Sequence, residues 1–217
     1  MKLLYSPGAC SLGIHLLLEE IGKPYEAELV NLREGAQFQP AFTTVNPKSK
    51  VPTLIRDDGS VLTEFPAIAF WLARTNPQAK LLPDDLESQV RALEAMDYVV
   101  STIHMRGFTL MFRPDVLSPA PEGAEAAKAR GREIFTNGLA VMNQALAGKD
   151  YVVGSYSIAD AALFYVEFWA AARAKLTDRQ EPGRCKLRPG RGGAALTPTR
   201  PARVPPRRRR RSRCGCC

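Results

Sequence analysis

Residues 1–22 read MKLLYSPGACSLGIHLLLEEIG, and their pattern decides how the chain begins to fold. Lys2 to Tyr5 form a short apolar run that suits a buried strand, and Ser6-Pro7-Gly8-Ala9 break it. From Ser11 to Ile21, Leu12, Leu16, Leu17 and Ile21 share one face and Glu19 and Glu20 the other, which predicts a helix that Gly22 stops. Cys10 falls at the junction of strand and helix.

Working outward, Tyr25 to Leu32 alternate loosely and predict a second strand, followed by a polar stretch with a weak helical signal over 37–44. Val51-Pro52-Thr53-Leu54-Ile55 and Val61-Leu62-Thr63 flank Asp57-Asp58-Gly59-Ser60, a hairpin pattern whose Gly59 suits the positive φ of a tight turn. Residues 66–74 predict a helix with Pro66 in its first turn. The order βα followed by ββα over about 80 residues is the thioredoxin-like arrangement.

Residues 77–85 read as a linker, and helical periodicity then runs over 86–112, 122–147 and 158–175. Ser157-Ile158-Ala159-Asp160 is a capping box with Asp in place of Glu, opening a helix expected to bury Ala161, Leu163, Phe164, Val166 and Phe168. The division is thus a thioredoxin-like domain over 1–76, the linker, an all-helical domain over 86–177 and a tail over 178–217.

That tail changes the meaning of the composition. The 217 residues carry a formal charge of +8, which alone would suggest nucleic acid as a partner. Residues 178–217 hold 12 Arg and one Lys against two acids, a net +11, so the rest of the chain carries −3. Four of the five cysteines also lie there, leaving Cys10 alone in the body, which excludes an internal disulfide framework and fits a reducing, cytoplasmic setting. A segment with 12 Arg, 6 Pro and 5 Gly among 40 residues is expected to be disordered. No apolar run reaches the length of a membrane span, and the N-terminus lacks the unbroken apolar region of a signal peptide.

Cys10 lies where helix amides favour an anion, so a thiolate there is expected to have a lowered pKa; the same place suits a small packed side chain. Around it there is no Cys-x-x-Cys, which disfavours a dithiol oxidoreductase. Pro52 opens a strand, where a cis bond would turn the backbone of Val51 outward for an extended ligand and a trans bond would not. Glu64 and the amide of Phe65, at the mouth of a helix, suit an ammonium and a carboxylate respectively, although a first-turn Glu also serves the helix dipole alone. His15 reads as structural, and His104 taken alone does too. No spacing of His, Cys and Asp marks a metal site.

Four stretches together resemble the bacterial beta-class glutathione S-transferases in order and spacing: residues 1–22, VNPKSKVPTLIRDDGSVLTE (45–64), STIHMRGFTLMFRP (101–114) and YSIADAALF (156–164). The resemblance covers residues 1 to about 175. It implies an α/β thioredoxin-like N-terminal domain, an all-α C-terminal domain, a homodimer, glutathione as co-substrate with no other cofactor, and a small hydrophobic electrophile. It further implies that Cys10 faces the glutathione sulfur and can form a mixed disulfide with it, with His104 nearby. Val51 before cis-Pro52 would pair with the cysteinyl backbone, and Glu64 and Phe65 would anchor the γ-glutamyl end. Asp97 would reach glutathione across the dimer, and Ile103 beside His104 would join the binding site.

Three positions depart from the family. Phe65 stands where a small residue is usual, so its ring must turn away from the ligand. Gly35 and Met105 stand where lysines are usual, which predicts weaker glutathione binding by up to about 1 kcal/mol for each exposed contact. The Arg-rich tail, built from residues with GC-rich codons, replaces the family's closing helices and reads as a shifted reading frame or as a polybasic arm. Besides a transferase, the residues leave open a glutathione-binding protein with little turnover and a basic-tail nucleic-acid binder.

Overall fold

The computed structural model describes residues 1–116 and 121–176, so the tail expectations for 178–217 lie outside the described residues. A four-stranded sheet is built from β1 (Lys2–Tyr5), β2 (Glu26–Leu29), β3 (Thr53–Ile55) and β4 (Val61–Thr63) in the order β2-β1-β3-β4. Strand β1 runs parallel to β2 and antiparallel to β3, and β3 and β4 form the expected hairpin. Its turn closes with the Arg56 amide donating to the Ser60 carbonyl at 2.8 Å, and Gly59 takes φ +80°. The second strand is shorter than expected and wholly exposed, as an edge strand can be. Lys2 on β1 reaches across to Glu28 at 3.1 Å.

Alternation along β1 sorts its side chains between two layers. Leu3, with Leu54, faces α1 (Ser11–Ile21) and α3 (Phe65–Thr75), where Ile14, Leu17, Ile68 and Leu72 are fully buried. Leu4 faces the other way and packs with Val30, Phe42 and Val51, Phe42 coming from the short helix α2 (Pro40–Thr43). The thioredoxin-like arrangement read from the sequence is the one observed.

The helical part follows α4 (Leu86–Asp97), whose first turn is capped by the Asp85 carboxylate accepting from the Ser88 amide at 2.8 Å. The chain stays helical to residue 112, but Tyr98–Phe108 widens to a π-helical form before α5 (Thr109–Phe112). Helix α6 (Ala124–Ala145) lies against this segment: a Cβ at Gly107 would come within 2.9 Å of the Phe135 amide, and one at Gly131 within 2.5 Å of the Met111 amide. Helix α7 (Ile158–Trp169) is the most buried, and a second π-helical turn, Ala170–Ala174, follows it. Of the side chains expected inside on α7, Ala161, Leu163 and Val166 are buried, Phe164 is half-buried and Phe168 is exposed; Tyr165 and Trp169 take the interior positions instead.

The sheet layer and the helical layer share one continuous core, joined where α1 lies on α7. A Cβ at residue 13 would stand 2.5 Å from the Ala161 carbonyl oxygen, so only glycine permits this approach. Among the described residues no helix is long and apolar enough to cross a membrane.

The capping box closes α7 from below. Buried Asp160 accepts from the amides of Val152 (2.9 Å) and Ser157 (2.8 Å) and from the Ser157 hydroxyl (2.9 Å). Asp160→Ala leaves these donors without that acceptor, and we expect it to lower the unfolding free energy by about 3 kcal/mol in urea titration. A loss below about 1 kcal/mol would contradict this role for the box.

Candidate functional site

Cys10 occupies the N-cap position of α1, at the end of the loop that leaves β1. Ser11 fastens that loop: its hydroxyl donates to the Ser6 carbonyl and accepts from the Ser6 amide, both at 3.2 Å. The Cys10 thiol points to the neighbouring strand entry and donates to the carbonyl of Val51 at 3.5 Å. The Val51–Pro52 bond is cis, as the outward-turned reading required.

The expected depression of the Cys10 pKa is overturned. Burial pushes the thiol up to about 12, against the amides of Cys10 and Ser11 and the charge of Lys50, which favour the thiolate; the Glu64 carboxylate adds to the rise. A helix start lowers a thiol's pKa only while the anion keeps its hydration or gains charged partners, and here desolvation is the larger effect.

The helical layer closes over this point. His104, in the π-helical segment, places Nδ1 3.3 Å from the Tyr165 hydroxyl, and its ring meets that of Trp169 edge-on with centroids 4.7 Å apart. Burial, with Lys50 as a lesser cause, lowers the His104 pKa to about 4, so the imidazole is neutral at physiological pH. Tyr165 is fully buried; desolvation first, and then the facing Cys10, raise its pKa well above the ordinary phenol range. Trp169 Nε1 and the Arg173 guanidinium both donate to the Gly8 carbonyl, at 2.8 and 2.9 Å, and strap α7 to the loop before Cys10. From His104 an aromatic run leads outward through Trp169 and Phe108, stacked at 4.1 Å, to exposed Phe112.

Glu64 stands before α3 with φ +68°, a left-handed conformation that a non-glycine residue adopts only when its surroundings require it. Its carboxylate is exposed and pairs with Lys48 at 2.8 Å. Phe65 is buried, with its ring 5.3 Å from that of Tyr165, so the ring turns into the layer interface as the departure from the family required. As the first residue of α3, its amide has no acceptor within the helix. Asp97 is exposed at the end of α4. The Ile103 side chain is wholly buried against Gly138 of α6, within the helical core. His15 is structural as expected, its ring lying between Tyr5 (4.6 Å) and Tyr25 (5.9 Å).

These features can be set beside known proteins. A family model described as the glutathione S-transferase N-terminal domain matches residues 8–75, and one for the C-terminal domain matches 125–187. The glutathione S-transferase GstA of Escherichia coli O157:H7 is 38% identical over 175 residues, covering 79% of this chain and 83% of that protein. The chain belongs to the glutathione S-transferase family. A sphingomonad glutathione S-transferase solved in complex with glutathione superposes with a TM-score of 0.68 at 38% identity, over 79% of this chain and 83% of its own. The bacterial beta-class transferase of Sphingomonas chungbukensis gives 0.67 at 34% identity, with the same coverage.

Sequence reading missed Lys50, Tyr165, Trp169 and Arg173. For Tyr165 and Trp169 a signal existed: they follow Ala161 at four-residue steps, so they share the face of α7 that meets Gly13. For Lys50 there was none, because its charge acts across space on Cys10 and His104.

The raised thiol has a direct consequence. A group whose folded pKa is about 12 stays protonated through neutral pH, and its thiolate appears only as the pH rises toward that value. Iodoacetamide labelling of Cys10, followed by peptide mass spectrometry without glutathione, should keep accelerating about tenfold per pH unit from pH 9 to 11. A plateau near pH 9, as for a free cysteine, would contradict the buried neutral thiol.

Proposed function

We propose that this chain is a glutathione transferase that binds glutathione over Cys10 and Val51 and joins its sulfur to electrophilic carbon. The observation that carries the reading is the meeting of the two layers at Cys10, whose thiol donates to the Val51 carbonyl on one side and faces Tyr165, the partner of His104, on the other, in a chain of this family.

Glutathione would lie extended along the Val51 edge, its γ-glutamyl end at Glu64 and the free amide of Phe65. The Cys10 thiol, protonated at neutral pH, is suited to donate a hydrogen bond to the glutathione sulfur. His104 is too weak a base to take the thiol proton outright. Moving a proton from a thiol near 8.5 to an imidazole near 4 is uphill by about 6 kcal/mol. Its part is therefore to hydrogen-bond the sulfur and orient it. The sulfur anion then attacks the electrophilic carbon, the leaving group departs with the bond electrons, and the thiol proton goes to solvent.

A hydrophobic electrophile would rest on the aromatic run that ends at exposed Phe112. A second activity is thiol–disulfide exchange: Cys10 gives its proton to solvent and attacks a glutathione disulfide, whose S–S bond breaks as the Cys10–glutathione disulfide forms, and the released glutathione thiolate takes up a proton from solvent. Glutathione is a co-substrate here and no further cofactor enters. Cys10 as a free thiol suits the reducing cytoplasm. The homodimer implied by the family would use exposed Phe70 on α3 and Leu86 and Val90 on α4, bringing a partner's Asp97 toward glutathione.

Glycine at position 35 and Phe65, whose ring fills the layer interface, are in keeping with a second reading, glutathione binding with little turnover. Immobilised glutathione combined with a chlorodinitrobenzene conjugation assay separates the two. The transferase reading expects retention and conjugation together; retention alone supports the binding protein, and neither result would sink both. Cys10→Ala should lose the mixed disulfide detected by mass spectrometry while glutathione binding changes less than about threefold. Glu64→Gln should weaken binding about tenfold by removing the partner of the γ-glutamyl ammonium.

A further inference from the structure

Tyr165 is a fully buried phenol on the inner face of α7, wedged between three rings: Phe65 at 5.3 Å, Trp169 at 4.9 Å and His104 at 5.6 Å. A buried hydroxyl needs a hydrogen-bond partner, and the side chain that meets this one is His104, through Nδ1 at 3.3 Å. His104 makes this contact from the π-helical segment Tyr98–Phe108, and Trp169 covers its ring edge-on. The position is thus over-determined by packing on two sides and by one polar contact on the third.

The contact also has a direction. A phenol O–H is a stronger acid than an imidazole N–H, and a bare imidazole nitrogen is a better acceptor than a phenol oxygen, so the favoured form has Tyr165 donating. From this geometry we infer that Tyr165 is a positioning residue: its hydroxyl donates to His104 Nδ1, fixing the imidazole as the Nε2–H tautomer with a hydrogen-bond donor on the far side of the ring.

Other groups around the ring leave this arrangement undisturbed. Lys50 is the charged group that acts on the imidazole and opposes its protonation, Cys10 faces Tyr165 from the other layer, and burial keeps both Cys10 and Tyr165 neutral. The neutral ring therefore has one proton to place, and Tyr165 decides where. Without the hydroxyl, both tautomers become accessible, and only one of them presents N–H on the side away from Tyr165. This inference rests on the transferase reading for its catalytic consequence, because the sulfur of glutathione is the acceptor that an Nε2–H donor would serve. The tautomer itself does not depend on that reading.

The test uses the full-length chain labelled with 15N in histidine, whose two histidines make His15 an internal control. Long-range correlations from ring protons to ring nitrogens at pH 7 should show His104 with unprotonated Nδ1 and protonated Nε2. Tyr165→Phe keeps the ring and its packing but removes the donor. It should bring the two His104 nitrogens toward an averaged position and leave His15 unchanged. In the chlorodinitrobenzene assay the same variant should lower kcat about tenfold, with KM for glutathione within about twofold.

Protonated Nδ1 in the unaltered chain would overturn the inference. So would a His104 pattern that Tyr165→Phe does not change, or a loss expressed in KM with kcat intact. If the unaltered chain shows no conjugation, the transferase reading fails, while the nitrogen pattern still decides the role of Tyr165.

Discussion

Helix α1 meets α7 at Gly13, where the backbone of one helix lies on the Ala161 carbonyl of the other with no room for a Cβ. Everything at the candidate site hangs on that approach. Cys10 opens the same helix, three residues before Gly13, while Tyr165 and Trp169 follow Ala161 along the same face of α7. One close helix contact therefore sets the distance between the thiol of the sheet layer and the imidazole, phenol and indole of the helical layer. Trp169 and Arg173 fasten the arrangement at its rim by donating to the Gly8 carbonyl.

The same approach that assembles the site also dries it. Burial moves every titratable group there toward its neutral form: the Cys10 thiol and Tyr165 phenol upward, the His104 imidazole downward. The result is a cluster of neutral hydrogen-bonding groups, with Lys50 and the Lys48–Glu64 pair as the charges around it. Such surroundings suit a ligand that brings its own charged ends and leaves a sulfur at the centre. They also leave Cys10 a protonated hydrogen-bond donor at neutral pH rather than a thiolate.

Much of this was legible in the residues. The β1 to α1 junction, the Gly59 hairpin turn and the Ser157–Asp160 box each carry local chemistry that acts over a few residues, and each formed where the pattern placed it. The family motifs at 45–64 and 101–114 led to Val51, which accepts from the Cys10 thiol, to Glu64, whose carboxylate acts on that thiol, and to His104, which meets Tyr165 where that side chain faces Cys10. What could not be read was long-range. Helical periodicity over 86–112 does not distinguish an α-helix from one widened at Tyr98–Phe108, the segment that lies against α6. The sign of the Cys10 shift was misjudged for a related reason: the dipole of α1 is local, but the atoms that desolvate the thiol come from elsewhere in the chain. Adjacent residues on a helix face different ways, so the Ile103 side chain is buried in the helical core while its neighbour His104 meets Tyr165.

Placement of glutathione on the Val51 edge is the claim from which the rest follows, and a titration read residue by residue tests it most directly. With 15N-labelled full-length chain and increasing glutathione, the amides of Val51 and Phe65 and those opening α1 should shift together and saturate with one affinity. An unchanged spectrum would contradict the account. So would shifts confined to the separate groove lined by Ser88, Arg91, Lys149 and Val152, which shares no residue with the site.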